Sequence, residues 1–275
     1  MVAADIPAGL QLCRSSGWNQ LEGDWSLFLQ LSPTGCRVAE KNGEVVGTLA
    51  TVRYQDRFSW LAMVLVNTQH RRAGIGTRLL QEGLALLSSN TCVRLDATSA
   101  GRELYRQHGF VDEYSLTRFT RSVDALQVAP VHPMIRPMRE QDLSAVFRLD
   151  RTIFGADREP VLRSLYARSP ECAWIARTCE ITGYCFGRPG FLYQQLGPVI
   201  ADHQNIARDL VLQCLAHVRS QWLGIDAPAH SPSWLRWLRS NGFAEERSFI
   251  RMHHGENRYP GHRERVFAVV GPEFG

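Results

Sequence analysis

Residues 64–80 read VLVNTQHRRAGIGTRLL, and within them Gly74 and Gly76 stand two apart, between an apolar run and a new apolar pattern of helical spacing. Where a strand hands over to a helix, the chemistry on offer is anion binding. The first turn of a helix leaves several backbone N–H groups unpaired at the positive end of the helix dipole. Glycine there lets a phosphate reach the backbone without meeting a Cβ, and it tolerates dihedrals that turn successive amides toward one point. Arg71 and Arg72 precede the pair, so the stretch suits a pyrophosphate, with solvated surface charge as the plainer reading of the two arginines. The spacing alone is common; its position between strand and helix makes it informative.

Several elements must hold that loop. The run before it, SWLAMVLV, is apolar on both faces, as a central strand requires, and Leu80, Leu84 and Leu87 share one face of the helix after it. Upstream, residues 10–32 place Leu21, Trp25, Phe28, Leu29 and Leu31 at helical spacing and stop at Ser32-Pro33, which predicts one or two helices. CRVAEKNGEVVGTLATVRY then reads as two strands around an Asn42-Gly43 hairpin turn. Downstream come a strand (TCVRLDAT), a short helix closed by Gly109 (GRELYRQHG) and a last strand (FVDEYSLTRFTR).

QVAPVHPMIRP carries three prolines and reads as a linker over 127–135, separating a domain of 1–126 from one of 136–275. The second half repeats the plan: a helix over 135–154, strands CAWIAR, EITGYCFG and FLYQQLGPVIA, a helix, a strand LGIDAPA, a helix and a strand SFIRMHH. LYRQHGF ends at Phe110 and WLRSNGF at Phe243, each at the same stage of its half, which indicates internal duplication. The class is α/β.

These residues resemble the GNAT superfamily of acyl-CoA N-acetyltransferases. Its strand, V-x-P-x-x-R-x-x-G-I-G loop and helix correspond to Val66 through Gly76, with Thr68 in place of the proline. Its closing N-x-x-A-x-x-L-Y-x-x-x-G-F corresponds to Leu104, Tyr105, Gly109 and Phe110, with Thr98 in place of the asparagine. The resemblance covers about residues 5–120. It implies tandem GNAT folds, each a mixed, mostly antiparallel sheet with a splayed central strand pair flanked by helices. It also implies acetyl-CoA as cosubstrate, bound along Val64, Leu65 and Val66 and by the loop Arg71, Arg72, Ala73, Gly74, Ile75, Gly76 and Thr77. A neutral amine would attack the thioester, a backbone N–H near Leu65 would meet the oxyanion, and Tyr105 would protonate the departing thiolate. Tyr105 also reads as a residue packed on the sheet. For the base, Asp96, His70, His108 and loss of the proton to bulk water stay open, and Asp96 also reads as a strand-end cap.

The second half resembles the C-terminal domain of two-domain bacterial acetyltransferases, with LGPVIA as its central strand and a GPEFG tail. DHQNIARDL stands where the glycine loop would be, with Asp202 as the expected cap, and Leu238 occupies the position of Tyr105. The expectation is a degenerate site, with Trp234 and Trp237 as core residues or a lining for an acceptor cleft. A non-catalytic acyl-CoA sensor or partner-binding module on the same fold is the alternative.

Composition bounds the rest. The chain has 275 residues, 44% hydrophobic and 21% charged, and a formal charge of +4. Residues 1–130 hold 13 basic and 12 acidic side chains and residues 131–275 hold 18 and 15, so neither half is a nucleic-acid module. Seven cysteines without a C-x-x-C pair suggest reduced thiols, and His253, His254 and His262 read as a surface loop, so no metal is expected. The longest apolar run, WLAMVLV, spans seven residues, and the N-terminal stretch lacks a signal pattern. The expectation is a cytoplasmic enzyme with a small-molecule or protein amine as partner and no membrane association.

Overall fold

The Asn42-Gly43 turn organises the first sheet strands: both residues have left-handed φ, 53° and 81°, the pairing a tight hairpin needs. The computed structural model describes residues 1–87, 92–123 and 133–275. Its first half runs α1 (Ile6–Ser15), α2 (Glu22–Leu31), β1 (Arg37–Lys41), β2 (Glu44–Tyr54), β3 (Phe58–Val66), α3 (Ile75–Leu86), β4 (Cys92–Thr98), α4 (Ser99–Gln107) and β5 (Val111–Ser122). The second runs β6 (Ile135–Pro137), α5 (Leu143–Phe154), α6 (Glu159–Arg168), β7 (Trp174–Arg177), β8 (Ile181–Arg188), β9 (Gln194–Ala201), α7 (Gln204–His217), β10 (Trp222–Pro228), α8 (Pro232–Ser240), β11 (Ala244–Gly255) and β12 (Val266–Ala268).

Four elements differ from the sequence reading. Of the linker over 127–135, residues 127–132 lie outside the described residues and Ile135 opens β6. The helix expected over 135–154 starts only at Leu143, after the β6 edge strand that Pro137 ends. Helix α6, with Val161, Leu162 and Leu165 buried, and strand β12 have no counterpart in that reading.

Each half contributes a mixed, mostly antiparallel set of strands with a parallel central pair that opens. Strand β3 pairs with β4 only at Ser59–Val93 and Trp60–Arg94, and β9 with β10 only over Gln194–Leu196 and Leu223–Ile225. The halves do not keep their sheets apart. Along one continuous sheet the order is β1-β2-β3-β4-β11-β5-β10-β9-β8-β7-β6, so the strand after the Phe110 or Phe243 stretch of each half crosses to pair with the other: β11 with β4, and β5 with β10. Strands β5 and β11 also pair with each other, with Leu116 opposite Phe249. Leu116 lies six residues past Phe110 and Phe249 six past Phe243, so the axis of the duplication passes through this pair.

Each crossing strand carries an arginine to an aspartate of the other half. Arg251 on β11 binds Asp96 on β4 through two bonds of 2.8 Å, and Arg118 on β5 binds Asp226 on β10 at 2.7 and 2.8 Å. All four side chains are buried, so each pair offsets the desolvation of both charges. One apolar core also joins the halves, with Phe28 and Phe58 of the first in the same cluster as Phe154, Phe186 and Phe274 of the second.

Candidate active site

The gap between β3 and β4 begins beyond Trp60 and Arg94, and a bulge shapes it. Thr48 faces Leu65 and Ala50 faces Ala62, so Met63 and Val64 both stand opposite Leu49, with Met63 at the left-handed φ of 55°. Asn67 N–H donates to Val46 O at 2.9 Å, and alternation along an antiparallel pair then commits Leu65 to Thr48. The backbone groups of Val64 and Val66 face the gap. Leu65 thus spends its amide on β2, and the backbone beside it at the bulge is left on the gap side.

The gap opens into a cleft of about 890 Å³ that reaches the glycine loop. Gly74 has φ 76°, a conformation that disfavours other residues, and precedes the first helical residue of α3. Arg78 N–H bonds back to Gly74 O at 3.0 Å, which leaves the amides of Ile75, Gly76 and Thr77 without intrahelical partners; no side chain caps them and no acid lies in the first turn. At Gly76 the backbone is ordinary, and an added Cβ would stand 3.7 Å from Val66 Cγ2 and 3.8 Å from Leu104 Cδ2, normal contact. Neither strain nor internal packing requires glycine there. Arg71 and Arg72 are exposed at the rim with Ala73, and Arg71 Nε donates to Val66 O at 3.4 Å. His70 lines the same cleft.

Tyr105 on α4 meets both this cleft and a smaller pocket beyond it of about 100 Å³. Its side chain is 9% exposed and packs edge-on to Phe110, and burial alone pushes its phenol up to about 12. At neutral pH it is a protonated donor with no hydrogen-bond partner among the described residues. Thr98 Oγ1 caps α4 by accepting from Gly101 N–H at 3.3 Å, so the residue in the asparagine position serves the helix. Asp96 stands inside β4 rather than capping its end and is held by Arg251, and burial raises it while Arg251 opposes. His108 turns Nδ1 to Leu104 O at 2.9 Å and does not line the cleft.

The smaller pocket contains residues with no signal in the sequence reading. Trp18 and Gln20 come from the turn between α1 and α2, Arg247 and Phe249 from β11, and Pro272 and Glu273 from the stretch after β12. That stretch is anchored in the first half: Tyr54 Oη donates to Phe274 O at 2.7 Å, Trp60 Nε1 to Pro272 O at 2.9 Å, and the Phe274 ring stacks on Phe28 at 4.5 Å. Glu273 itself is paired with Arg188.

The corresponding gap in the second half is filled. Strand β12 pairs with β9 beyond the point where β10 leaves it, and Val269 N–H donates to Asp226 O at 3.0 Å, bridging to β10. A Cβ on Gly197, at the matching bulge, would run into Val269 O. The cap of α7 is His203, and Asp202, expected there, pairs instead with Arg265. Leu238 is buried in the second core, and Trp234 and Trp237 stack at 5.0 Å against that core and line neither the cleft nor the pocket. His253 and His254 belong to β11, where the His254 ring lies 5.5 Å from Phe110, and His262 lies in the exposed stretch beyond it.

Models of the acetyltransferase (GNAT) domain match residues 32–112 and 146–268. The chain is 28% identical to the uncharacterized N-acetyltransferase YitH of Bacillus subtilis, over 86% of this chain and 84% of that protein. It is 23% identical to the holothin acyltransferase of a Pseudoalteromonas species, over 94% and 87%. Among solved structures, a putative acetyltransferase from Pyrococcus horikoshii superposes with a TM-score of 0.84 at 21% identity, covering 100% of this chain and 94% of that one.

Proposed function

The chain belongs to the GNAT acetyltransferases, with two such domains in tandem, and on that premise we propose that its first half transfers the acetyl group of acetyl-CoA to an amine. The observation that carries this reading is the contrast between two equivalent gaps. The first is open from the bulge to an uncapped helix N-terminus with a buried, protonated tyrosine on its wall; the second is filled by the chain itself.

The residues fit the cosubstrate in two places. The unpartnered amides of Ile75, Gly76 and Thr77 suit a pyrophosphate, with Arg71 and Arg72 at its rim. The gap-facing backbone of Val64 and Val66 suits the amides of a pantetheine arm. Bound there, acetyl-CoA supplies an activated acyl carbon. The Val64 amide then donates to the oxygen that gains charge as the amine attacks, and Tyr105 gives its proton to the sulfur as the C–S bond breaks. Asp96 is spent on Arg251, so the amine's own proton leaves through the cleft, past His70 or into water. The second half holds no acyl-CoA on this reading and instead completes the acceptor side. A pocket of about 100 Å³ and a relative whose name assigns it a small molecule favour a small amine over a protein. No helix among the described residues is long and apolar enough to cross a membrane, and we place the reaction in the cytoplasm.

Calorimetric titration of acetyl-CoA into the full-length protein tests this reading together with Gly76→Val. One site is expected, lost in the variant while the protein stays folded by circular dichroism, since the first atom of the new side chain meets only ordinary contacts. Two sites would refute the filled second gap, and none would refute the reading. Binding without CoA release across an amine panel would mark a sensor instead.

A further inference from the structure

Two polar side chains at the acceptor end have no partner among the described residues. Gln20 is 5% exposed, its amide makes no hydrogen bond, and its Oε1 is wholly shielded. Arg247, half-buried, lines both the cleft and the smaller pocket and forms no ion pair, hydrogen bond or ring contact. The other charges of the pocket are matched: Arg118 with Asp226, Asp96 with Arg251, and Glu273 with Arg188. Among the described residues, Arg247 is then the cation that lines the smaller pocket without a counter-charge. A buried amide without a partner is costly to keep, and a ligand that completes it accounts for its presence.

We propose that the acceptor is an amine that also carries a carboxylate, with Arg247 receiving the carboxylate and Gln20 hydrogen-bonding the nitrogen that is acylated. This rests on the acetyltransferase reading and names its substrate class. A single guanidinium presents parallel N–H donors to a planar monoanion. A dianion such as phosphate would meet the Asp96 and Glu273 oxygens that edge the same pocket, with one free cation to hold it. Arg247 reaches the turn that carries Trp18 and Gln20: its guanidinium lies 3.7 Å from where a Gly17 side chain would begin. Because β11 belongs to the second half, acceptor choice is written in the domain that has no cofactor gap of its own.

The test is equilibrium binding of product-like pairs that differ only in the carboxylate, to the full-length protein. Suitable pairs run from N-acetylalanine against N-ethylacetamide to N-acetylphenylalanine against N-acetylphenethylamine. The carboxylate member should bind tighter by roughly 10- to 100-fold. Arg247→Ala should collapse that ratio toward one with the melting temperature kept, Arg247→Lys should restore part of it, and Gln20→Leu should weaken both members alike. No preference in the wild type, or a preference that survives Arg247→Ala, overturns the proposal. Acetyl-CoA titration of the same proteins separates the two readings. Its failure in the wild type would sink acetyl transfer while the paired ligands still decide what Arg247 binds, and a loss specific to Arg247→Ala with the preference intact would assign the guanidinium to the cofactor.

Discussion

The role proposed for Tyr105 depends on where α4 buries it. Raised from 10.0 to about 12 by desolvation, the phenol keeps its proton throughout the range in which an amine is neutral enough to attack. Tyr105→Phe should lower kcat by roughly 100-fold, read as CoA thiol release, with acetyl-CoA affinity unchanged by calorimetry. Unchanged turnover would remove it from the mechanism. The same burial has a stability consequence whose sign is set. A folded pKa above the unfolded one contributes stability that is complete below pH 10 and is lost as pH rises from 10 to 12. The melting temperature of Tyr105→Phe should therefore fall less steeply than the wild type's across that window.

At the scale of elements, the exchange of β5 and β11 joins the two halves. Each crossing strand delivers a buried arginine to a buried aspartate, so removing either aspartate strands a cation in the middle of the sheet. Asp96→Ala and Asp226→Ala should each cost roughly 3–5 kcal/mol in urea unfolding. A cost below about 1 kcal/mol, the range of a surface pair, would show that the crossing does not depend on these charges. The stretch from Val266 to Gly275 has a parallel double role. Its strand fills the second gap, and its continuation brings Pro272 and Glu273 to the smaller pocket beside Tyr105.

For the whole molecule the consequence is that the two domains are not separable along the chain. Division at 127–135 leaves the first half without the strand between β4 and β5, and the second without the strand between β10 and β11. Open edges and exposed apolar faces of this kind drive association. Each half expressed alone should be aggregated or unfolded by circular dichroism and gel filtration. The two expressed together should recover a single particle that binds one acetyl-CoA. A monomeric, cooperatively folding half would contradict the role given to the exchange.

What the sequence determines by itself is local. The doubly apolar β3, the helical periodicity after Gly76, the Asn42-Gly43 turn and the matching Phe110 and Phe243 stretches depend on residues within a few positions of one another. The glycine loop and Tyr105 are legible for the same reason. Tertiary structure alone decides which strand lies beside which, because antiparallel partners far apart in the chain carry no mark of each other, so β11 between β4 and β5 could not be read. The same distance hides the smaller pocket, where Gln20, Arg247 and Glu273 meet from three remote stretches. It also reverses Asp96, a plausible base on its strand and a spent counter-ion once Arg251 arrives from the other half.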